Sequence, residues 1–315
     1  MRRAVLILAL AAVAGVVVPP TPAGAHGGDT PSSTAFRTRI SGVTPAVPGL
    51  AVTVVEAGAR LELTNDTGRT VEVLGYAMEP YLEVRPDGTY ENVHSPAAYL
   101  NRTLAGDTPV PAEADPTAPP RWRRISGEPA VRWHDRRTRW TGDGLPPVAA
   151  ADPGRPHRIR DWVVPLRQEA TVVEVRGTLD YRPPPAAWLW WLGAALVALI
   201  AFRRPTVAAV AGGALVLYGV LRTLDAAAPV VTFAAGLIGL LSVPLRKAPF
   251  ALALTGVVLA VFGGLTDIGV FGAAVVPVAG PDWIARAAVM LALGAGVGTA
   301  AAGIVRVRRA DRVGS

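Results

Sequence analysis

The sequence predicts two unlike regions in one chain of 315 residues. The first is an antiparallel β-sandwich, Ig-like or cupredoxin-like, and the second is an α-helical transmembrane bundle of five helices. Short alternating or β-branched runs separated by turn residues fill the region before residue 182, which is typical of a sandwich. Long apolar runs with few charges fill the rest. Between them, Pro183–Pro185 leads into Trp188–Phe202, an apolar stretch with tryptophans at its start and Arg203 after its end, as expected of a spanning helix.

The N-terminus predicts a secretory signal peptide over residues 1–25. A short positive segment, Met1–Arg3, precedes the apolar run Ala4–Val18, and Ala23–Ala25 is a small-x-small cleavage site. An uncleaved anchor helix is the alternative. Cleavage after Ala25 would make His26 the first residue of a β domain that we expect to span residues 26–182.

Period-two patterns place the strands of this domain. The turn Asp66–Gly68 predicts a tight hairpin, and the Pro- and Ala-rich stretch Asp107–Pro120 predicts a loop. The two strands before the membrane are expected to form a closing pair. The predicted strands are Phe36–Ile40, Leu50–Val55, Leu61–Leu63, Val71–Leu74, Tyr81–Val84, His157–Leu166 and Thr171–Tyr181.

Charge at the ends of the apolar runs predicts a multi-pass cell-membrane protein. Basic clusters would lie in the cytoplasm and Asp225, Asp267 and Asp282 outside, with the β domain extracytoplasmic and the basic tail 306–315 cytoplasmic. Ile268–Ala279 is too short to span and is expected to be re-entrant or interfacial; a sixth span is the alternative. The five spans, within a bundle of residues 183–305, are Trp188–Phe202, Thr206–Leu221, Val230–Leu245, Pro249–Leu265 and Trp283–Val305.

Composition limits the chemistry. The chain has no cysteine, which excludes disulfides, thiolate metal sites and a cysteine nucleophile. Its net charge of +7 comes almost wholly from arginine, since Lys247 is the only lysine. Arginine at membrane boundaries and in an extracytoplasmic domain favours membrane lipids, an anionic envelope component or another membrane protein as partners, and not nucleic acid.

The most unusual stretch of the β domain is Arg121–Trp140, which we call the Arg-Trp stretch. It holds seven arginines, three tryptophans and two acidic residues, a combination suited to stacking and anion binding. A pair of strand edges with partly buried tryptophans is the alternative. The residues expected to contact an anion or partner are Arg121, Trp122, Arg123, Arg124, Trp133, Arg136, Arg137, Arg139 and Trp140.

Two further patterns have residue types that could carry chemistry. His134 and Asp135 could orient each other as in a hydrolase, but no nucleophile motif accompanies them, so the sequence predicts no enzyme. His26, once freed by cleavage, could chelate Cu(II) through its α-amine and imidazole, with His94, His134 or His157 completing the donor set. A floppy terminus without metal is the alternative for His26.

Several short motifs resemble those of a family of uncharacterised actinobacterial membrane proteins. They are Gly75–Leu82, Tyr90–Asn92, Ser95–Pro96, Tyr99–Asn101 and Trp133–Asp135. The resemblance implies a signal peptide, an extracytoplasmic β domain and a C-terminal helical bundle. This family is often richer in histidine after the Trp133 position, where this chain has arginines. The layout is also similar in outline to fused periplasmic-binding and membrane proteins of copper uptake, through His26.

These observations predict a binding or accessory protein of the cell envelope, with a copper-handling membrane protein as the alternative. The three prolines Pro183–Pro185 form a short, stiff tether. They should hold the β domain near the bilayer, so that the Arg-Trp stretch faces lipid head groups or the outer acidic residues Asp225, Asp267 and Asp282.

Overall fold

A computed structural model describes residues 33–225, 229–244 and 248–313. The predicted signal peptide, His26 and the cluster at Arg246 and Lys247 lie outside these ranges. The described chain begins with ten antiparallel strands and continues as helices.

The strands form two sheets. Seven strands follow the order β1-β10-β9-β4-β5-β6-β7, and the other three follow the order β2-β3-β8. The predicted closing pair is confirmed as the β9–β10 hairpin. The strands are β1 Phe36–Thr44, β2 Leu50–Val55, β3 Arg60–Asn65, β4 Val71–Leu74, β5 Pro80–Arg85, β6 Gly88–Asn92, β7 Trp122–Ser126, β8 Ala130–Trp133, β9 His157–Gln168 and β10 Thr171–Tyr181.

One hydrophobic core joins the two sheets. Leu63 of the smaller sheet and Val73, Val84 and Leu166 of the larger sheet are fully buried within the same cluster. Alternation explains this arrangement, because every second residue of a strand points to the same face. Glu72 and Glu83 lie between buried neighbours and therefore point to the opposite, open face.

The turn after β3 is not a hairpin, so that prediction was wrong. β3 pairs with β2 and β8, whereas β4 pairs with β5 and β9. Asn65, at the end of β3, donates through its side chain to the carbonyl oxygens of Arg69 and Val84, both at 2.7 Å. The turn therefore carries the chain from one sheet to the other.

Seven α-helices lie among the described residues. The second-last helix, α6, continues through a π-helical turn at Leu259–Gly264 and a 3-10 turn at Leu265–Phe271. The helices are α1 Ala97–Leu100, α2 Pro147–Ala151, α3 Ala187–Arg203, α4 Val207–Asp225, α5 Val230–Leu240, α6 Pro249–Val258 and α7 Asp282–Val313.

Within the described ranges, three helical segments are long and apolar enough to cross a membrane. They are Val207–Asp225, Pro249–Phe271 and Asp282–Ala310, whereas α3 and α5 are shorter apolar helices. Several large apolar side chains of α3 are exposed, including Trp188 at 64% and Leu199 at 61%. Such exposure suits a lipid surface, and together with the three long segments it indicates a membrane protein.

The stretch Ile268–Ala279 begins in the 3-10 turn and continues as irregular backbone. Thr34, just before β1, exchanges two backbone hydrogen bonds of 2.9 Å with Val275, and Ala279 donates to Leu221 of α4 at 3.0 Å. The side chain of Arg286 in α7 donates to three carbonyl oxygens of this stretch at 2.7–3.2 Å. No helix forms over residues 272–281, all of which are described.

Candidate binding surfaces of the β domain

A row of polar side chains crosses the open face of the larger sheet. Strand pairing places these residues directly opposite one another on successive strands. Directly opposed side chains on one face lie close enough to interact. From β7 to β9 the row is Arg124, Tyr90, Glu83, Glu72 and Arg167.

At the β7 end of this row, two arginines lie close to two aromatic rings. We call this group, Arg85, Arg124, Tyr90 and Trp122, the Arg-aromatic cluster. The guanidinium of Arg85 lies 3.9 Å from the ring centre of Tyr90 and 5.8 Å from that of Trp122. Arg124 lies 6.0 Å from the centre of the same tyrosine ring. A guanidinium stacked on a ring can still donate through its N–H edge. Here Arg85 donates in part to Glu83, and Arg124 in part to the carbonyl oxygens of Asp87 and Ser126.

Acidic residues accompany this cluster and balance part of its charge. Arg85 pairs with Glu83 at 2.5 Å, and Arg123 pairs with Glu91 at 2.5 Å. Burial raises the pKa of the Glu83 carboxyl, while the hydrogen bond from Arg85 acts in the opposite direction. Glu72, opposite Glu83 on the neighbouring strand β4, adds a second negative charge. The row is therefore less basic at β4 and β5 than at its β7 edge.

The centre of the row opens into a charged groove. Its volume is about 460 Å³, and Arg167 pairs with Glu72 inside it. At one end, Arg69 and Glu169 form an exposed pair at 3.3 Å. The groove therefore adjoins the Arg-aromatic cluster along one face. It is lined by Arg69, Thr70, Glu72, Glu83, Arg167 and Glu169.

The structure divides the Arg-Trp stretch between two places. Its first part forms β7, an edge strand of the larger sheet, in which Arg123 and Arg124 are exposed and Trp122 is half-buried. Arg121, just before the strand, is also exposed. Its last part follows β8 of the smaller sheet. β7 and β1 are the two edges of a seven-stranded sheet, so about 29 Å, or six strand spacings, separates them.

The middle of the stretch is a buried network. Asp135 is fully buried and accepts hydrogen bonds from Trp133 Nε1 at 3.3 Å and from Arg137 Nη2 at 2.7 Å. Arg137 also donates to the carbonyl oxygen of Leu74 at 3.1 Å, and its guanidinium lies 5.0 Å from the ring centre of Tyr76. The side chains of Trp133 and Arg137 therefore make hydrogen bonds inside the domain.

Tyr76 and Arg136 lie at the surface of this network. The hydroxyl of Tyr76 donates to Asn101 and accepts from the backbone amide of Arg136 at 3.1 Å. Burial, and then the charge of Asp135, raise the pKa of Tyr76 to about 12. Four residues of the motifs that carry the family resemblance therefore meet in this network, namely Tyr76, Asn101, Trp133 and Asp135.

The end of the stretch packs beside β1. The ring of Trp140 lies 6.4 Å from that of Phe36, and Arg160 donates to the carbonyl oxygen of Arg139. The residue after Phe36, Arg37, forms an ion pair of 2.5 Å with Asp282 at the start of α7. Trp140 therefore lies close to the junction between the β domain and the helices, unlike the arginines of β7.

The three acidic residues that the sequence predicts to lie outside the membrane have partners of three kinds. Asp282 pairs with Arg37, Asp267 pairs with Arg222 of α4 at 2.9 Å, and Asp225 faces the backbone amides of Glu56 and Ala57. These hydrogen-bonding and ion-pair partners lie outside the Arg-Trp stretch, from which Arg132 acts on Asp225 through its charge. The β domain contacts the helices through β1 and the turn between β2 and β3.

The candidate metal residues can be placed only in part. His26 lies outside the described residues. His134 is buried, its Nδ1 lies 2.8 Å from the carbonyl oxygen of Ala59, and its Nε2 accepts from Arg60 at 3.2 Å. Because a carbonyl oxygen only accepts, Nδ1 carries the proton and both ring nitrogens are occupied. Within the described ranges, no three histidine or acidic residues form a group suited to a metal ion.

Sequence reasoning missed Arg85 and Tyr90, which lie outside the Arg-Trp stretch. The turn signal at Pro86–Gly88 could have shown that β5 and β6 form a hairpin, which brings these two residues together. Glu56 was also missed, because only the tertiary structure shows that it is buried. No protein-family profile, curated protein sequence or solved structure matches this chain.

Proposed function

We propose that this is an integral membrane protein of the cell envelope whose extracytoplasmic β domain is a non-catalytic binding or accessory module. Its ligand is an anionic envelope component, which binds the exposed arginines of β7 and the adjoining Arg-aromatic cluster. The observation that carries the proposal is the stacking of Arg85 on Tyr90 at 3.9 Å beside three exposed arginines.

The position of this surface supports an envelope ligand. β7 lies at the sheet edge farthest from β1, which contacts α7. A ligand at β7 therefore does not compete with the contacts that fix the domain to the helices. Arginine presents several N–H donors in a fixed fork, which suits the repeated phosphate or carboxylate groups of an envelope polymer.

The proposed topology has five crossings. The three long segments are joined by α3, whose length of 17 residues covers about 25 Å, and by α5 with the residues after it. In this topology the β domain is extracytoplasmic and the C-terminus is cytoplasmic. A reporter fused after Ser315 should be active only as a cytoplasmic fusion; activity outside the cytoplasm would refute this arrangement.

Binding is tested with the full chain in nanodiscs and poly(glycerol phosphate) as the probe, with neutral dextran as the comparison. We expect salt-sensitive binding to the polyanion and none to dextran. Changing Arg121, Arg123 and Arg124 together to Ser should weaken binding by about tenfold or more, since charged hydrogen bonds contribute about 1.5–3 kcal/mol each.

The matched control changes three other exposed arginines, Arg155, Arg158 and Arg176, to Ser. Their side chains are 54–81% exposed, and the control removes the same net charge. Equal losses in the two variants would show a nonspecific charge effect and refute the site. For the copper alternative, sub-micromolar Cu(II) binding that is lost in His26→Ala would replace this proposal.

A further inference from the structure

A small cavity lies between β1 and the turn that joins β2 to β3. Its volume is about 160 Å³, roughly ten times the space that one water needs by the same kind of measure. It can therefore hold a group of several heavy atoms. It is lined by Ser33, Thr34, Phe36, Thr38, Glu56, Ala57, Gly58, Ala59, Leu104, Arg139, Trp140 and Leu179.

This cavity, the junction cavity, adjoins the contacts between the β domain and the membrane helices. Thr34, on its wall, pairs with Val275 in the segment before α7. Ala57, also on its wall, faces Asp225 at the end of α4. The cavity thus lies beside the ends of α4 and α7. Its position relative to the bilayer rests on the proposed topology, in which those helix ends lie at the depth of the lipid head groups.

The wall carries one buried acidic group, Glu56, which has a carboxylate oxygen that accepts no hydrogen bond from the described residues. Glu56 is only 4% exposed, and its Oε1 lies 3.3 Å from Arg60 and 4.0 Å from Arg132. Its Oε2 has no hydrogen-bond partner within the described part of the chain. A buried carboxylate oxygen without a donor is costly, and a ligand N–H group would satisfy it.

The backbone fixes this residue in place. Glu56 and Ala57 have φ values of 58° and 57°, in the left-handed region that non-glycine residues seldom adopt. Strained backbone of this kind clusters at ligand sites and is held by its surroundings. Here the turn presents a preformed acidic group beside the cavity.

The rest of the wall supplies a cation and an apolar surface. Arg139 lines the cavity, as do the aromatic rings of Phe36 and Trp140, whose centres are 6.4 Å apart. A ligand that matches this wall has an ammonium group for Glu56, an anionic group for the guanidinium and a short methylene chain for the rings.

We propose that the junction cavity binds a small zwitterion with a primary ammonium and a phosphate, namely the phosphoethanolamine head group of an outer-leaflet lipid. The ammonium donates to Glu56 Oε2, and the phosphate accepts from Arg139. A phosphocholine head group carries the same charges but has no N–H donor, so it leaves Oε2 without a hydrogen bond. The site therefore distinguishes phosphatidylethanolamine from phosphatidylcholine by hydrogen bonding and not by charge.

The test uses the full chain in mixed nanodiscs that contain phosphatidylethanolamine, phosphatidylcholine and phosphatidylglycerol. Lipids retained after delipidation are quantified by mass spectrometry. We expect about tenfold enrichment of phosphatidylethanolamine over phosphatidylcholine, which corresponds to one hydrogen bond to a charged group. Equal retention of these two lipids by the wild-type protein would overturn the proposal.

Glu56→Gln and Arg139→Gln should each abolish the enrichment, whereas Glu113→Gln and Arg155→Gln, at exposed positions, should preserve it. Thermal unfolding of each variant checks that it is folded. If a variant does not fold, Glu56→Asp provides the second test, since a shorter carboxylate should weaken the preference without removing the charge. Enrichment that survives in all folded variants at Glu56 and Arg139 would refute this site.

Soluble phosphoethanolamine shows whether the site binds a lipid head group or a free zwitterion. If it competes with the lipid and phosphocholine does not, the head group alone is recognised, as proposed. If soluble phosphoethanolamine raises the unfolding temperature but no lipid is enriched, the site binds a free zwitterion, and the lipid assignment is wrong.

The pH dependence gives an independent readout. Burial raises the pKa of the Glu56 carboxyl, the charges of Arg60 and Arg132 oppose this shift, and Asp225 adds to it. Arg139 is the other charged group on the cavity wall. As pH falls through this raised pKa, the carboxylate is neutralised and the enrichment should fall. A lipid phosphodiester stays anionic over this range, so an enrichment that does not change down to pH 4.5 would contradict the role of Glu56.

Discussion

The two regions of this chain are packed by different means. The β domain buries large side chains such as Leu63, Trp133 and Leu166 in one core between its sheets. The helices also bury large side chains such as Tyr218 and Leu259. In addition, they approach so closely that a Cβ on Gly256 would lie 2.2 Å from the backbone nitrogen of Ala300. In water, burial of large apolar groups drives packing, whereas in lipid that drive is absent and close contact of small residues takes its place.

The largest effect that tests this comparison is expected in the β core. Leu63 is fully buried between the two sheets. Leu63→Ala should lower the free energy of unfolding of the β domain by about 2–5 kcal/mol, through lost burial and the cavity left behind. Chemical unfolding followed by tryptophan fluorescence measures it. Val172→Ala, at a half-exposed position of β10, is the control and should change stability by less than about 0.5 kcal/mol.

The next effect distinguishes the helices from the β core. Between the helices, the addition of one methyl group should lower the free energy of unfolding. Gly256→Ala forces α6 away from α7 and should cost about 1–3 kcal/mol. Gly213 of α4 is the matched control, since the nearest atom to its added Cβ is a flexible leucine methyl at 3.6 Å.

Gly213→Ala should be neutral or stabilising by up to about 1 kcal/mol, because alanine favours the helix. Thermal unfolding in nanodiscs compares the two variants. If both behave alike, the close packing of α6 on α7 does not contribute to stability in the way described.

The smallest effect concerns the contact between the regions. Arg37 and Asp282 are partly exposed, with side-chain exposures of 31% and 23%. A double-mutant cycle with Arg37→Gln and Asp282→Asn should give a coupling energy of about 1 kcal/mol, at the upper end for exposed pairs. Hydrogen exchange of the amides near Thr34 reports the docking of the β domain. A coupling energy near zero, with unchanged exchange, would show that this ion pair does not hold the domain to α7.

Sequence reasoning recovered the elements with clear periodicity. Leu50–Val55, Val71–Leu74 and Thr171–Tyr181 are strands with the predicted boundaries. In these stretches, apolar residues alternate mostly with small or polar residues, as expected of a half-buried strand. This alternation is a local property that the sequence displays directly. The strand β6 was not predicted, because turn residues interrupt its pattern. β7 and β8 are both edge strands, which agrees with the alternative for the Arg-Trp stretch, a pair of strand edges.

The sequence by itself determined the division into a β region and a helical region, since both depend on local hydrophobic patterns. Only the tertiary structure decided that the Asp66–Gly68 turn joins two sheets, because strand pairing depends on partners distant in the chain. It also divided the Arg-Trp stretch, placing Arg124 on the β7 edge and Trp140 beside β1. A charge pattern indicates which residues avoid the core, but three-dimensional packing decides which of them become neighbours.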